Sequence, residues 1–459
     1  MKIDIIWFRR DLRIHDNPIL SYAELPVMPI FIFDTNILSE LPRDDRRVTF
    51  IFDKVIELKK NLRKLGFDLA IFYGKPSDVF DYISKKYEIG KIYASGDNDS
   101  YARGRDKEIA SKYNFILVHD NFLLKPQEIL NTKGETYKIF SHFEKAVLNT
   151  IPVLANVKYL PEFKSKLVDF EYSKILKIND VVELLPLELE SIGFERQALV
   201  FEGAVKSAEE LLRRFEKYVN PYGEQRDYPA LNATSLLSVH LRFGTISIRE
   251  VFRWALNHDR SRKFISELIW REFFNYILYH HPEIEFDNFR KDVIANWENN
   301  ENKFELWKKG LTGIPLVDAG MRQLEIEGYM HNRVRMVVAS FLTKNLHVDW
   351  KFGEKYFARK LLDYEASSNV GNWQWNAGTG TDTKLRFFNP FLQSKKFDPN
   401  GEYIKKYVPE LKHIKSEYLH DENFFLNEKI WGYPKPIVNL KESVAKFKEI
   451  YKRRQITQI

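Results

Sequence analysis

The chain begins Met1-Lys2-Ile3-Asp4-Ile5-Ile6-Trp7-Phe8-Arg9-Arg10-Asp11-Leu12-Arg13, and residues 3–8 read as a buried strand. Apolar runs of the same kind recur at 27–33, 69–73, 91–94 and 115–118. Helical patterns fill the gaps at 47–65, 77–86 and 103–113. In the first of them Phe50, Ile51, Val55, Leu58, Leu62 and Leu65 return with helical spacing. Strand–helix alternation over residues 1–120 predicts an α/β domain with a parallel, Rossmann-like sheet. No Gly-x-Gly-x-x-Gly follows the first strand, so an ordinary dinucleotide fingerprint is missing.

Downstream the pattern changes twice. Residues 121–200 have weak periodicity, scattered proline and mixed charge, and read as a long interdomain linker. Over 201–459 the 3.6-residue period dominates and strand signals vanish, which predicts a larger all-α domain. Helices are expected at 202–219, 247–258, 261–281, 315–328, 331–346, 354–362 and 439–454.

Composition narrows the function classes. The 459 residues contain no cysteine, which excludes disulfides, thiolate zinc sites and cysteine nucleophiles and fits a reducing cytoplasm. The 11 histidines show no ligand spacing, so no metal is expected. Charges interrupt the first apolar stretch, as a signal peptide does not allow, and no run reaches the ~18 apolar residues of a membrane span. A cytoplasmic protein, nucleoid-associated in a prokaryote, is the expectation. Net charge is +7, but residues 431–459 hold seven Lys/Arg against two Glu, leaving only +2 elsewhere; the charge permits DNA binding without arguing for it. Aromatics are 15% of the chain, which suits a bulky core as well as rings that stack on a ligand.

Unusual residues concentrate in the helical half. Glu267, Trp270, Arg271 and Phe274 share one helix face by their i, i+3, i+4, i+7 spacing. A face pairing carboxylate, indole and guanidinium is poor core material; an amphipathic surface and a binding site both account for it. Asn332, Arg335 and Met336 lie on one face of a second helix, offering an amide, a permanent cation and a polarizable contact for flat rings. Asp363 and Glu365 then precede Asn369 and Trp373-Gln374-Trp375 in a small, polar stretch that reads as a loop, with a carboxylate available to Arg335. After Tyr222 and Arg226, Thr234-Ser235-Leu236-Leu237-Ser238 puts hydroxyls and amides ahead of an apolar run, which suits either a helix N-cap or a phosphate site.

Together these segments resemble the photolyase/cryptochrome family, closest to class I cyclobutane pyrimidine dimer photolyases, over nearly the whole chain. The opening 7–13 with Asp16-Asn17-Pro18, then 267–273, 313–318, 331–336, 373–375 and 378–382 followed by Phe388-Asn389-Pro390, carry the resemblance. It implies light-driven repair of pyrimidine dimers in DNA by electron transfer from FAD, active as FADH⁻. Tyr222, Thr234, Ser235, Leu236, Leu237, Ser238, Phe264, Arg271, Asn332, Arg335, Asp363, Glu365 and Asn369 would bind that cofactor. Glu267, Trp270, Asn332, Met336 and Trp375 would hold the flipped-out dimer, while Arg226, Arg333, Arg386 and Gln393 touch the strand. Trp297, Trp350 and Trp373 would relay electrons to the flavin. A monomer is expected.

Two departures bear on this. Between Asp382 and Arg386 stand only Thr383, Lys384 and Leu385, where relatives usually carry a longer insert. Ala102 aligns where folate-binding relatives place a carboxylate, which argues against folate and leaves a deazaflavin, a flavin or no antenna open. The alternatives within the family are repair of (6-4) photoproducts, whose enzymes carry histidines where Asn332 and Met336 stand, and a cryptochrome-type photoreceptor, against which Glu267, Trp270, Asn332, Met336 and the lack of a long tail weigh.

Overall fold

The computed structural model describes residues 1–159, 167–168, 175–177, 188–382 and 384–453. They form two compact units, one of Met1–Thr136, His142–Arg213 and Leu236–Tyr279, the other of Tyr137–Ser141, Arg214–Ser235 and His280–Ile459.

The first unit is built on a six-stranded, all-parallel sheet. Its spatial order is Phe115–Val118, Glu88–Ser95, Lys2–Phe8, Val27–Asp34, Ala70–Gly74, Ile175–Lys177. Every residue of Val27–Asp34 is buried, as a strand covered on both faces must be, and this is why the sequence shows an unbroken apolar run rather than alternation. The core gathers Ile3, Ile5, Trp7, Ile30, Phe72 and Phe80. Helices Arg46–Lys64, Pro76–Ser84 and Ser100–Lys112 connect the strands, the first capped by Asp45, whose side chain accepts from the Arg47 N–H. The five expected strands and three expected helices all occur, with ends displaced by a few residues.

The second unit packs helices Pro315–Glu327, Asn332–Lys344, Trp350–Lys360 and Ala366–Ala377 against one another. Buried Asp318 pins its interior, accepting from the Thr312 N–H and hydroxyl at 2.7 Å each, from the Gly313 N–H and from the Tyr433 hydroxyl.

The elements add detail to the expected layout and overturn some local expectations. The stretch 121–200 carries helices Phe140–Val147 and Ile151–Ala155, and its Ile175–Lys177 extends the sheet; three residues are too short to show a period. Strands do recur in the helical half, because Val293–Ala295 pairs antiparallel with Tyr451–Arg453 and ends the helix expected over 439–454 at Ile450. Residues 366–377, expected as a loop, are a helix held by burial of Val370, Trp373 and Ala377 despite a Ser/Asn/Gly-rich composition. In the expected phosphate segment the helix starts at Ser238 without a side-chain cap, and Leu236 takes a positive φ of 59°.

Candidate functional site

His331 caps helix Asn332–Lys344, its Nδ1 accepting from the Arg333 N–H at 3.2 Å. Burial pushes this imidazole down to about 4, so it is a neutral acceptor at pH 7. The cap sets Asn332, Arg335 and Met336 along one wall of a pocket completed by Asp363, Asn369 and Trp373. Arg335 donates through Nη2 to both oxygens of Asp363, at 3.1 and 2.9 Å, and through Nε to the Met330 carbonyl at 2.7 Å. This pairing, foreseen from the sequence, holds a charge pair beside the pocket with its donors already directed. Glu365 also lines the pocket, and its carbonyl accepts from the Asn369 N–H.

The Asn369 side chain is oriented by a residue that the sequence did not single out. Its Nδ2 donates to the Glu354 carbonyl at 3.1 Å and to the Glu354 carboxylate at 3.0 Å. Burial raises the Glu354 carboxyl, and the bonds from Asn369 and Tyr364 oppose that rise. With its nitrogen committed, Asn369 has its amide oxygen left as an acceptor. No sequence period marks Glu354, because the residue it holds lies on another helix. Gly353 permits the close fit here, because a Cβ on it would strike the Trp373 indole. Trp373 is buried edge-on against Phe357 at 5.1 Å and against Trp307, a second ring the sequence reading passed over, at 6.2 Å.

The other candidates of this unit form smaller groups. Tyr222 packs edge-on against Phe215, Arg226 lies over the Tyr222 ring, and Thr234 hydrogen-bonds the half-buried Tyr329. Arg333 pairs with Asp227 at 2.7 Å, while Arg226 lies 3.9 Å from the same carboxylate. Trp375 stacks on Phe388 at 6.2 Å, with the Arg386 guanidinium 4.6 Å from its ring centroid and paired to Asp382. Despite the shortened segment, then, Arg386 does meet the Trp375 ring. Lys344 is buried beneath this segment, donating to the Arg386 carbonyl; burial first, and then the Arg386 charge, lower it to about 7. Gln393 has a buried Oε1 without a partner among the described residues. Trp350 donates its indole N–H to Asn288, and half-buried Trp297 packs on Phe447; neither lines the pocket.

In the first unit, helix Lys263–His280 presents Glu267, Trp270 and Arg271 half-buried between the buried Leu268, Ile269 and Glu272. Trp270 is fixed by Phe273 and Phe274 at 5.7 and 5.4 Å. Arg271 donates to the Asn121 carbonyl and lies 4.1 Å over Phe122. Glu272 anchors the same segment by accepting from the Leu123 and Leu124 N–H groups. Phe264 is buried edge-on against Trp254. Leu236 and Leu237 are buried, and the Ser238 hydroxyl is enclosed with no partner among the described residues.

These residues fit FAD. A flavin edge needs mixed donors and acceptors, which the Asn332 and Asn369 amides and the Arg335–Asp363 pair provide. Within the first unit, the enclosed Ser238 hydroxyl is a donor of the kind a phosphate oxygen accepts from. Fold and pocket together define an FAD-binding protein.

Sequence comparison matches residues 4–162 to DNA photolyase and residues 264–453 to the FAD binding domain of DNA photolyase. The deoxyribodipyrimidine photo-lyase of Buchnera aphidicola subsp. Baizongia pistaciae is 34% identical over 98% of this chain and 98% of its own. That of Halobacterium salinarum is 33% identical over 95% and 96%. Among solved structures, the archaeal photolyase from Sulfolobus tokodaii with two FAD molecules matches with a TM-score of 0.80 at 34% identity, covering 98% of this chain and 99% of that one. The Synechocystis sp. PCC6803 cryptochrome matches with a TM-score of 0.84 at 26% identity and the same coverage. The chain belongs to the DNA photolyase family.

Proposed function

We propose that this protein repairs cyclobutane pyrimidine dimers in DNA using light and FAD. The observation that carries the reading is the pocket in which the Arg335–Asp363 pair, Asn332 and the Glu354-held Asn369 converge beside Trp373. Bound in its fully reduced form and excited by light, FAD supplies the electron that opens the dimer and takes it back. The protein contributes geometry and electrostatics.

Arg335 and Asp363 orient the flavin, while Asn369 offers an acceptor oxygen and no acidic proton, which suits a flavin kept as FADH⁻. Tyr222, the segment 234–238, Phe264 and Arg271 hold the rest of FAD, and Glu365 closes the pocket wall. Glu267 accepts from a pyrimidine edge, Asn332 reaches both lesion and flavin, and Met336 lines the space between. Trp270 and Trp375 stack on the flipped bases, an interaction typically worth ~1–3 kcal/mol per base. Arg226, Arg333 and Arg386 position backbone phosphates, and Gln393 contacts the strand. Trp373, Trp350 and Trp297 restore oxidised flavin. Residues 1–120 then form an antenna-type domain, 121–200 a linker and 201–459 the FAD- and DNA-binding domain; the enzyme works as a monomer in the cytoplasm. Ala102, buried in helix Ser100–Lys112, supplies no carboxylate to a folate, so a second flavin like that of the S. tokodaii relative is the antenna we favour.

Repair of (6-4) lesions calls for a histidine that can give up a proton near neutral pH. His331, pushed down to about 4 and occupied as a helix cap, does not meet that requirement. The test is recovery of intact thymine from an oligonucleotide with one cyclobutane dimer, under blue light and in the dark. Light-dependent recovery that vanishes in Glu267→Ala or Trp270→Ala supports the enzyme and its pocket. A flavin-loaded protein without recovery overturns it and points to the (6-4) lesion or a photoreceptor role.

A further inference from the structure

Trp307 is fully buried and its indole N–H donates to the Val338 carbonyl at 3.3 Å, so packing and one hydrogen bond already account for a tryptophan here. Its surroundings ask for more. The ring centroid lies 6.2 Å from Trp373 and 5.8 Å from Tyr356, so three oxidisable rings are in unbroken contact. Phe357 and Phe304 stack on Trp307 at 6.1 and 5.7 Å but do not give up electrons at accessible potentials. Tyr356 is half-buried, its hydroxyl facing the Lys308 carbonyl at 3.4 Å and the Glu325 carboxylate. Glu325 is solvent-exposed and paired with Lys360. Burial, then the Glu325 and Glu305 charges, hold the phenol protonated well above its ordinary range. An oxidised phenol, by contrast, is a strong acid and needs a base in contact.

We propose that Trp307 and Tyr356 form a second electron exit from Trp373, ending on a tyrosine that passes its proton to Glu325. This deepens the reading of Trp373 as the flavin-side relay ring and rests on it. After light drives one electron from Trp373 to oxidised flavin, Trp307 refills Trp373 and Tyr356 refills Trp307. Tyr356 thereby loses one electron, and its phenolic proton moves to the Glu325 carboxylate and on to water. An external thiol returns one electron and one proton to the tyrosyl oxygen and leaves as a thiyl radical, and the thiyl radicals of two turnovers couple to one disulfide.

The test uses FAD-loaded, full-length protein under blue light without oxygen, with a thiol reductant. Flavin reduction is followed optically, and the radical by electron paramagnetic resonance with ring-deuterated tyrosine. Trp350→Phe is expected to keep a residual photoreduction that the Trp350→Phe/Trp307→Phe double variant loses. A tyrosyl signal narrowed by deuteration should appear in Trp350→Phe and vanish on adding Tyr356→Phe, which removes only a hydroxyl and spares the core. Photoreduction that requires Trp373 but ignores Trp307, or a tyrosyl signal that survives Tyr356→Phe, overturns the branch alone. Photoreduction undiminished in Trp373→Phe overturns the relay reading beneath it.

Discussion

His331 and His240 are both buried and both pushed down to about 4 from an ordinary histidine value near 6.5. Between those limits the unfolded chain binds protons that the folded chain refuses. Stability from each is therefore complete above about pH 6.5 and is lost as pH falls toward 4, on the order of 3 kcal/mol per residue. His331→Asn keeps a side-chain acceptor at the helix cap but does not titrate. Its unfolding free energy should fall less between pH 7 and 4 than that of the parent; an unchanged acid limb in a denaturant titration at each pH counts against the assignment. Arg335 permits a second test at this scale. Lysine preserves the charge but cannot serve the Met330 carbonyl and both Asp363 oxygens at once. Arg335→Lys should weaken FAD retention by ~1–3 kcal/mol, the range for charge-assisted bonds, read by equilibrium dialysis of FAD. Retention equal to the parent would mean that the pair does not face the cofactor.

Elements show which parts of the molecule were legible in advance. Val27–Asp34 declared itself because double-sided burial demands a run of apolar residues, and Asn332–Lys344 because its apolar positions repeat every turn. The same spacing put Asn332, Arg335 and Met336 on one wall of the pocket. Helix Ala366–Ala377 did not declare itself: Ser367, Ser368, Asn369 and Gly371 all disfavour helix locally, and packing overrides them. Nor could Glu354 be read, since its bond joins residues fifteen apart in sequence by contact between two helices, which leaves no period. Gly353 sits at that contact. Gly353→Ala gains ~1 kcal/mol of helix propensity, but the new methyl meets the Trp373 ring rather than a flexible chain end. Overpacking costs ~1–3 kcal/mol, so the second effect wins. The variant should melt earlier than the parent and show altered Trp373 fluorescence; a raised melting temperature with unchanged emission would show that the contact with Trp373 has room for a methyl.

For the whole molecule the open question is how a chain of such small net charge holds DNA. The +7 is concentrated in residues 431–459, away in sequence from every residue proposed to touch the strand. Binding must then depend on a few placed arginines, and salt dependence can count them. Each phosphate neutralised contributes about −0.9 to the slope of log affinity against log salt. Arg333→Ala should weaken binding to damaged and undamaged duplex alike and flatten the slope by about 1. In the free protein Arg333 is held by Asp227 at 2.7 Å, with Arg226 near the same carboxylate, so DNA competes with Asp227 for both. Asp227→Asn should accordingly bind more tightly at every salt concentration with its slope unchanged. Trp270→Ala should do neither: it should lose only the preference for the lesion, because stacking releases no counterions. Replacing Lys441 and Lys448 by Gln should leave the slope as it was. If those lysines flatten the slope and Arg333 does not, the basic terminal stretch is the DNA-binding element, and the arginines around the pocket serve the fold.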